Sequence, residues 1–252
     1  MPYPAPGESG LRPAAIPATY GGMSILAIPD IHGYRSELDR VLALADAQCG
    51  RQARIVFLGD LTDRGPDSRG VIERLIEGIG AGRDWVVLRG NHDQMFLDFL
   101  RDPGPGARWL NDNIGGTETL ISYGAGEAMA AGDWDAVAAC VPRAHRDFLA
   151  GLPFSFETEE QFFVHAGIRP GVPLDMQEID DLLWIRQEFH GDTRDHGKLV
   201  VHGHTPVERP THYGNRVNLD AGAGFGRPLN VAGIEGRTAW LLTDEGRAPL
   251  RP

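Results

Sequence analysis

The sequence predicts an α/β protein in which strands and helices alternate. From Met23 onward the chain runs in short apolar stretches, most of them followed by residues apolar at helical spacing. These stretches end in clusters of Gly, Asp, Asn or His, and ligands of open α/β sheets gather at such strand ends. Composition agrees: 252 residues, 42 % hydrophobic and 23 % charged, are ordinary for a globular protein of between one and two domains.

The first strand, Ser24 to Ile28, ends at Asp30, and Ser36 then opens a helix with Leu38, Val41, Leu42 and Ala45 on one face. The second, Arg54 to Leu58, ends at Gly59-Asp60; a helix from about Ser68 sets Val71, Ile72, Leu75, Ile76 and Ile79 on one side. Trp85 to Leu88 ends at Gly90-Asn91-His92-Asp93, with Met95, Phe96 and Phe99 in the following helix. Residues 101 to 156 break the alternation with Gly-punctuated helical pieces and read as an insertion near the site mouth. Its Trp109, Asn113, Tyr123 and Trp134 are expected to wall the site, although burial is the commoner fate of such aromatics. Gln161 to Val164 ends at His165, and Leu199 to Val201 at His202-Gly203-His204. Strands Arg216 to Leu219, Leu229 to Ile234 and Thr238 to Leu242 follow. Residues 1 to 20, with Pro2, Pro4, Pro6, Pro13 and Pro17, read as a loose tail ahead of a single domain at residues 21 to 252.

With 24 basic and 35 acidic side chains the net charge is −11, which excludes nucleic acid as a partner because duplex binding needs clustered Lys and Arg. Any anion must be drawn in locally. No stretch approaches the roughly 18–20 apolar residues of a membrane span, and the N-terminus lacks a signal-peptide layout. An uncleaved cytoplasmic protein without a membrane partner is expected. Cys49 and Cys140 read as reduced and structural, and His145, His190, His196 and His212 as surface residues. His202 reads as a neighbour of the site or a core residue.

Each polar cluster alone has an ordinary explanation, since Asp or Asn after a strand commonly caps a helix. Together they offer oxygen and nitrogen donors at five strand ends, which is the chemistry of divalent-metal binding. The order is Asp30-Ile31-His32-Gly33, Gly59-Asp60-Leu61-Thr62-Asp63-Arg64-Gly65, Gly90-Asn91-His92-Asp93, Val164-His165-Ala166-Gly167 and Gly203-His204-Thr205-Pro206. It resembles that of the calcineurin-like metallophosphoesterases. The Asp63-Arg64-Gly65 form is similar to the phosphoprotein phosphatase branch. Leu183-Trp184-Ile185-Arg186 ahead of Glu188-Phe189 resembles the bacteriophage lambda-type bacterial Ser/Thr protein phosphatases.

The resemblance implies a sandwich of two mixed β-sheets flanked by helices, with a dinuclear metal site at the strand ends. It assigns Asp30, His32 and Asp60 to one metal and gives Asp60, as a bridge, with Asn91, His165 and His204 to the second. Two divalent ions are implied, Mn²⁺ first, with Fe or Zn suited by the same donors. Their four positive charges less two carboxylates leave a surplus of about two for a phosphate dianion, and a bridging hydroxide attacks phosphorus in line. Arg64 and Arg186 clamp the phosphoryl oxygens, His92 protonates the leaving oxygen, and Asp63 orients His92.

The implied activity is hydrolysis of phosphomonoesters, with phosphoserine or phosphothreonine in proteins as substrate. One alternative is a symmetrical dinucleoside tetraphosphate hydrolase, whose motif typically lacks the Asp at position 63. Another is a non-catalytic phosphoprotein-binding module, which would have lost ligands. Pro29 stands where the lambda-type motif usually has Gly, and Asp93 where eukaryotic phosphatases have Glu. Asn218-Leu219-Asp220-Ala221-Gly222 resembles a turn next to the site, though turn formation alone explains it as well.

Overall fold

Alternate residues of the central strands face different apolar layers, as strands covered on both sides require. The computed structural model describes residues 24–252, so the expected tail at residues 1 to 20 lies outside the described part. The first half of the chain forms β1 (Ile25–Ile28), α1 (Arg35–Cys49), β2 (Ile55–Phe57), α2 (Ser68–Gly80), β3 (Trp85–Val87) and α3 (Asn91–Arg101). Four short helices follow, α4 (Gly116–Ser122), α5 (Gly126–Ala131), α6 (Trp134–Ala139) and α7 (Arg143–Gly151). The second half forms β4 (Ser155–Glu157), β5 (Gln161–Val164), α8 (Ile179–Trp184), α9 (Gln187–His190), β6 (Leu199–His202), β7 (Thr211–His212) and β8 (Arg216–Asn218). It closes with β9 (Ala232–Glu235), β10 (Thr238–Thr243) and β11 (Gly246–Leu250).

Two mixed sheets result, ordered β11-β10-β9-β1-β2-β3 and β4-β5-β6-β8-β7. Leu26, Ile28, Ile55 and Phe57 face a helix layer with Leu38, Val41, Val71 and Phe96. Ala27, Val56 and Leu58, one step out of phase, meet Phe163, Val201 and Val217 of the other sheet. Phe162, Val164 and Val200 point outward onto Leu182 and Phe189. The molecule is thus the expected sandwich of two sheets between helices. β1, β2 and β3 run parallel, as do β5, β6 and β8, so their carboxyl ends can supply one site. No described helix is long and apolar enough to cross a membrane.

Several expectations need correction. β9 begins at Ala232 rather than Leu229, because the Leu229 N–H donates to Glu37 and its carbonyl accepts from Arg40, both on α1. Ile79 is 41 % exposed, lying in the last turn of α2 where residues 80 to 82 are exposed too. His145 is buried beside the Tyr123 hydroxyl at 2.9 Å, and His212 is buried with Nε2 donating to the Arg237 carbonyl at 2.9 Å. His190 and His196 are half-buried, with ring centroids 6.0 and 5.7 Å from that of Phe189. Trp109 and Tyr123 do not wall a cleft: both are buried in the helix-layer core, and Trp134 packs edge-on against Phe99. Cys49 and Cys140 are free and partly buried.

Candidate metal centre

The turns after β1 and β2 are laced together by backbone. The Ile31 and His32 N–H groups both donate to the Asp60 carbonyl at 2.9 Å, and the Gly65 N–H donates to His32 O at 2.9 Å. The turn after β3 joins through side chains. Asp93 accepts from the N–H groups of Gly90, at 2.9 Å, and Leu61, at 3.0 Å, while the His92 N–H donates to Asp60 Oδ1 at 2.9 Å. His165 leaves β5 and donates from Nδ1 to the Leu58 carbonyl at 2.9 Å, which fixes it against the end of β2. His204 leaves β6, and its N–H meets both oxygens of Asp30 at 3.1 Å.

The non-glycine residues with left-handed backbone among the described residues are His32, Asp60, Asp63, Arg64 and His204, with φ of 49°, 50°, 77°, 68° and 67°. Each is a predicted site residue. A Cβ in that region costs about 1 kcal/mol or more, so the surrounding lattice of backbone bonds holds the strain.

Two groups of donors come within 4.8 Å of one another: His32, Asp60 and His92, and Asp60, His165 and His204. Asp60 belongs to both. Its Oδ2 lies 3.6 Å from His32 Nε2, and its Oδ1 lies 3.4 Å from His165 Nε2. In the first group His92 stands where the sequence placed Asp30; the Asp30 carboxylate is turned onto the His204 N–H instead.

The donor set fits divalent cations. His32 and His165 each give their Nδ1 proton to a carbonyl, of Thr62 at 2.8 Å and of Leu58 at 2.9 Å, so each Nε2 carries a lone pair inward. Asn91 Oδ1 lies 2.8 Å from the His165 lone pair, two acceptors with no proton between them, which a cation relieves. Burial, then Asp220, pushes the Asp30 carboxyl well above its usual range; burial, then Asp30 and Asp93, does the same to Asp60. Burial also holds the imidazoles of His32 and His204 well below their usual value and takes His165 to about 3. Neutral imidazoles and crowded carboxyls are the state in which a bound cation is most favoured.

Beside these donors, His92 Nδ1 donates to Asp63 Oδ2 at 2.6 Å. Asp63 is fully buried and also accepts from Trp109 Nε1 at 2.7 Å and Thr119 Oγ1 at 2.8 Å. Arg64 donates from Nη1 to His32 Nε2 at 2.8 Å and from Nη2 to His92 Nε2 at 3.2 Å. Arg186, on the exposed side, donates from Nε to His204 Nε2 at 3.1 Å. The structure therefore brings all ten predicted residues to one place. Sequence reading missed the seat of Asp63, since Trp109 and Thr119 lie 46 and 56 residues away from it. It also gave no role to Asp93, which ties two turns together, or to Asp220, buried beside Asp30.

Gly90 shows how closely these turns approach. A Cβ there would lie 2.1 Å from both the backbone N and Oδ1 of Asp60. Gly90→Ala is therefore expected to cost roughly 3 kcal/mol, at the upper end for overpacking because backbone must move, and to lower metal affinity with it. Thermal unfolding together with metal content by elemental analysis checks both; an unchanged midpoint would mean the turns can part freely.

The model of the calcineurin-like phosphoesterase family matches residues 23–231. A serine/threonine-protein phosphatase 1 of Salmonella typhimurium is 28 % identical over 230 residues, covering 84 % of this chain and 92 % of that protein. An asymmetrical bis(5'-nucleosyl)-tetraphosphatase PrpE of Anoxybacillus flavithermus is 29 % identical over 199 residues, covering 71 % of this chain and 74 % of that protein. In fold the chain is similar to a cold-active protein-tyrosine phosphatase of a psychrophilic Shewanella species. The TM-score is 0.59 at 17 % identity, with 94 % of this chain and 83 % of that one covered.

Proposed function

Because the chain belongs to the calcineurin-like phosphoesterase family and is thus a metal-dependent phosphoesterase, we propose that it hydrolyses phosphomonoesters, with phosphoserine and phosphothreonine in proteins as substrates. The observation that carries this reading is the seat of Asp63, which accepts from His92 Nδ1 and turns Nε2, the atom that here accepts from Arg64, toward the site, where it would carry a proton to the leaving oxygen. A serine or threonine alkoxide is a poor leaving group and needs that proton. A nucleoside polyphosphate leaves as a stable anion and needs it far less. The relative among tetraphosphatases makes dinucleoside tetraphosphate hydrolysis the competing outcome.

Asp30, His32 and Asp60 would hold one divalent ion and Asp60, Asn91, His165 and His204 a second, Mn²⁺ in our reading. Bound there, the ions supply Lewis acidity and a nucleophile drawn from water at neutral pH. The protein's own part is positional. Arg64 and Arg186 face the donor set from two sides, and each guanidinium keeps N–H groups free of the bonds described for phosphoryl oxygens. Asp63 fixes the ring of His92, so that Nε2 is the atom that would protonate the leaving oxygen once Arg64 turns from it to a phosphoryl group.

The test is a panel of phosphoserine peptides, small monoesters, diesters and dinucleoside tetraphosphates, run on metal-stripped and Mn²⁺-reconstituted enzyme. Monoesters are expected to lead in kcat/KM, with activity lost on stripping and restored by Mn²⁺. A tetraphosphate that leads instead replaces this reading. Arg186→Ala is expected to lower monoester kcat/KM by roughly 10- to 100-fold, the worth of a charged hydrogen bond, and diester kcat/KM by less. An unchanged monoester-to-diester ratio would remove Arg186 from the clamp.

A further inference from the structure

Phe225 is 64 % exposed, and its ring centroid lies 4.7 Å from Arg64 Cζ. Of the large apolar side chains left exposed among the described residues, it is the one whose ring covers a guanidinium of the site. The chain builds this placement deliberately. Residues Ala223–Phe225 form a single tight turn between Gly222 and Gly226, whose φ of 88° and 78° suit glycine. The Gly222 N–H is held by the buried Asp220 carboxylate at 2.8 Å. Gly224 lets the turn lie flat on the site: a Cβ there would stand 2.4 Å from His32 Cδ2 and 2.8 Å from Arg64 Nη1.

The guanidinium of Arg64 thus has one edge at His92 Nε2, 3.2 Å away, and one face under the Phe225 ring. Under the reading of His92 as the group that protonates the leaving oxygen, the substituent on that oxygen emerges beside Arg64. Phe225 is then the apolar surface it meets.

We propose that Phe225 is a specificity-determining residue, a platform on which a flat substituent of the leaving group stacks, so that the site favours phosphoryl groups borne by aromatic bodies. The Arg64 face polarises the ring from beneath, and an aromatic substituent packs offset on its other side. Phosphoserine and phosphothreonine remain substrates; aromatic-bearing esters gain in binding.

Benzyl phosphate and cyclohexylmethyl phosphate provide a matched pair, with equal charge, similar primary-alkoxide leaving groups, and one flat ring against one puckered. The wild-type KM is expected to favour the benzyl ester by roughly 3- to 10-fold, the range of an aromatic pair. Phe225→Leu, which keeps an apolar cover on Arg64 but no flat face, is expected to bring the ratio near unity with kcat little changed. Phe225→Trp should keep it. A ratio unchanged in Phe225→Leu, or an equal fall of kcat on both esters, overturns the platform and leaves Phe225 as a support for Arg64. If the wild type turns over only dinucleoside tetraphosphates, the monoester reading fails instead. Phe225→Leu must then raise KM for diadenosine tetraphosphate by the same factor, and an unchanged KM sinks the platform there too.

Discussion

Asp60→Asn is expected to lower kcat by roughly 10³-fold or more, at or beyond the top of the range for a single electrostatic group. Asp60 is the residue common to both donor groups, with Oδ1 toward His165 and Oδ2 toward His32. An amide there removes a negative charge from both groups at once and turns one donor atom into an NH₂. Metal content should fall together with rate on Mn²⁺ reconstitution. The thermal midpoint of the metal-free protein should hold or rise, because burial already disfavours that carboxylate as an anion. A variant with two metals per chain and normal rate would show that Asp60 is not shared.

His92→Asn is expected to cost roughly 10²- to 10⁴-fold on phosphoserine peptides, the usual worth of a positioned acid. The loss on an activated aryl phosphate should be distinctly smaller, since its leaving group needs little protonation. The distinction matters here because His92 Nε2 also stands 4.0 Å from Asp60 Oδ2, within the first donor group. Retention of two metals with an unequal loss on the two substrates fits an acid. Equal losses accompanied by loss of metal would make His92 a ligand instead.

The strand ends were readable because a polar cluster directly after an apolar run is both a local pattern and the place where parallel strands deliver their ligands. The helical faces of α1 and α2 were readable for the same local reason, down to Leu38, Val41, Val71 and Leu75. What escaped depends on partners far along the chain. His145 and His212 sit in polar sequence, yet each is buried by an acceptor or hydroxyl supplied from elsewhere, Tyr123 and the Arg237 carbonyl. Trp109 looked like a candidate for the cleft because nothing near it names Asp63 as its partner. β11 carries Gly246 and Pro249, both poor strand formers, and is held by its pairing with β10. The left-handed turns at His32, Asp60, Asp63, Arg64 and His204 leave no sequence signal, since none is glycine. Asp30 shows a finer limit: motif spacing placed it in the centre, while the direction of its carboxylate depends on the His204 N–H.

β1 pairs with β2 on one side and with β9 on the other, and Asp30 at its end meets the N–H of His204 and the carboxyl of Asp220. For a chain emerging from a ribosome this sets an order of events. A nascent chain extruded only as far as α3 has made Asp30, His32, Asp60 and Asn91 but none of their partners from the second sheet. At about 5–20 residues per second, roughly 10–40 s separate the appearance of Asp30 from that of Asp220. Throughout that interval β1 has an open edge where β9 will pair, and its acids lack the imidazoles of His165 and His204 for at least part of the time. The second donor group, with His165 and His204, is thereby complete only once β6 has been made, and until β9 follows the first half of the protein carries an uncovered strand edge.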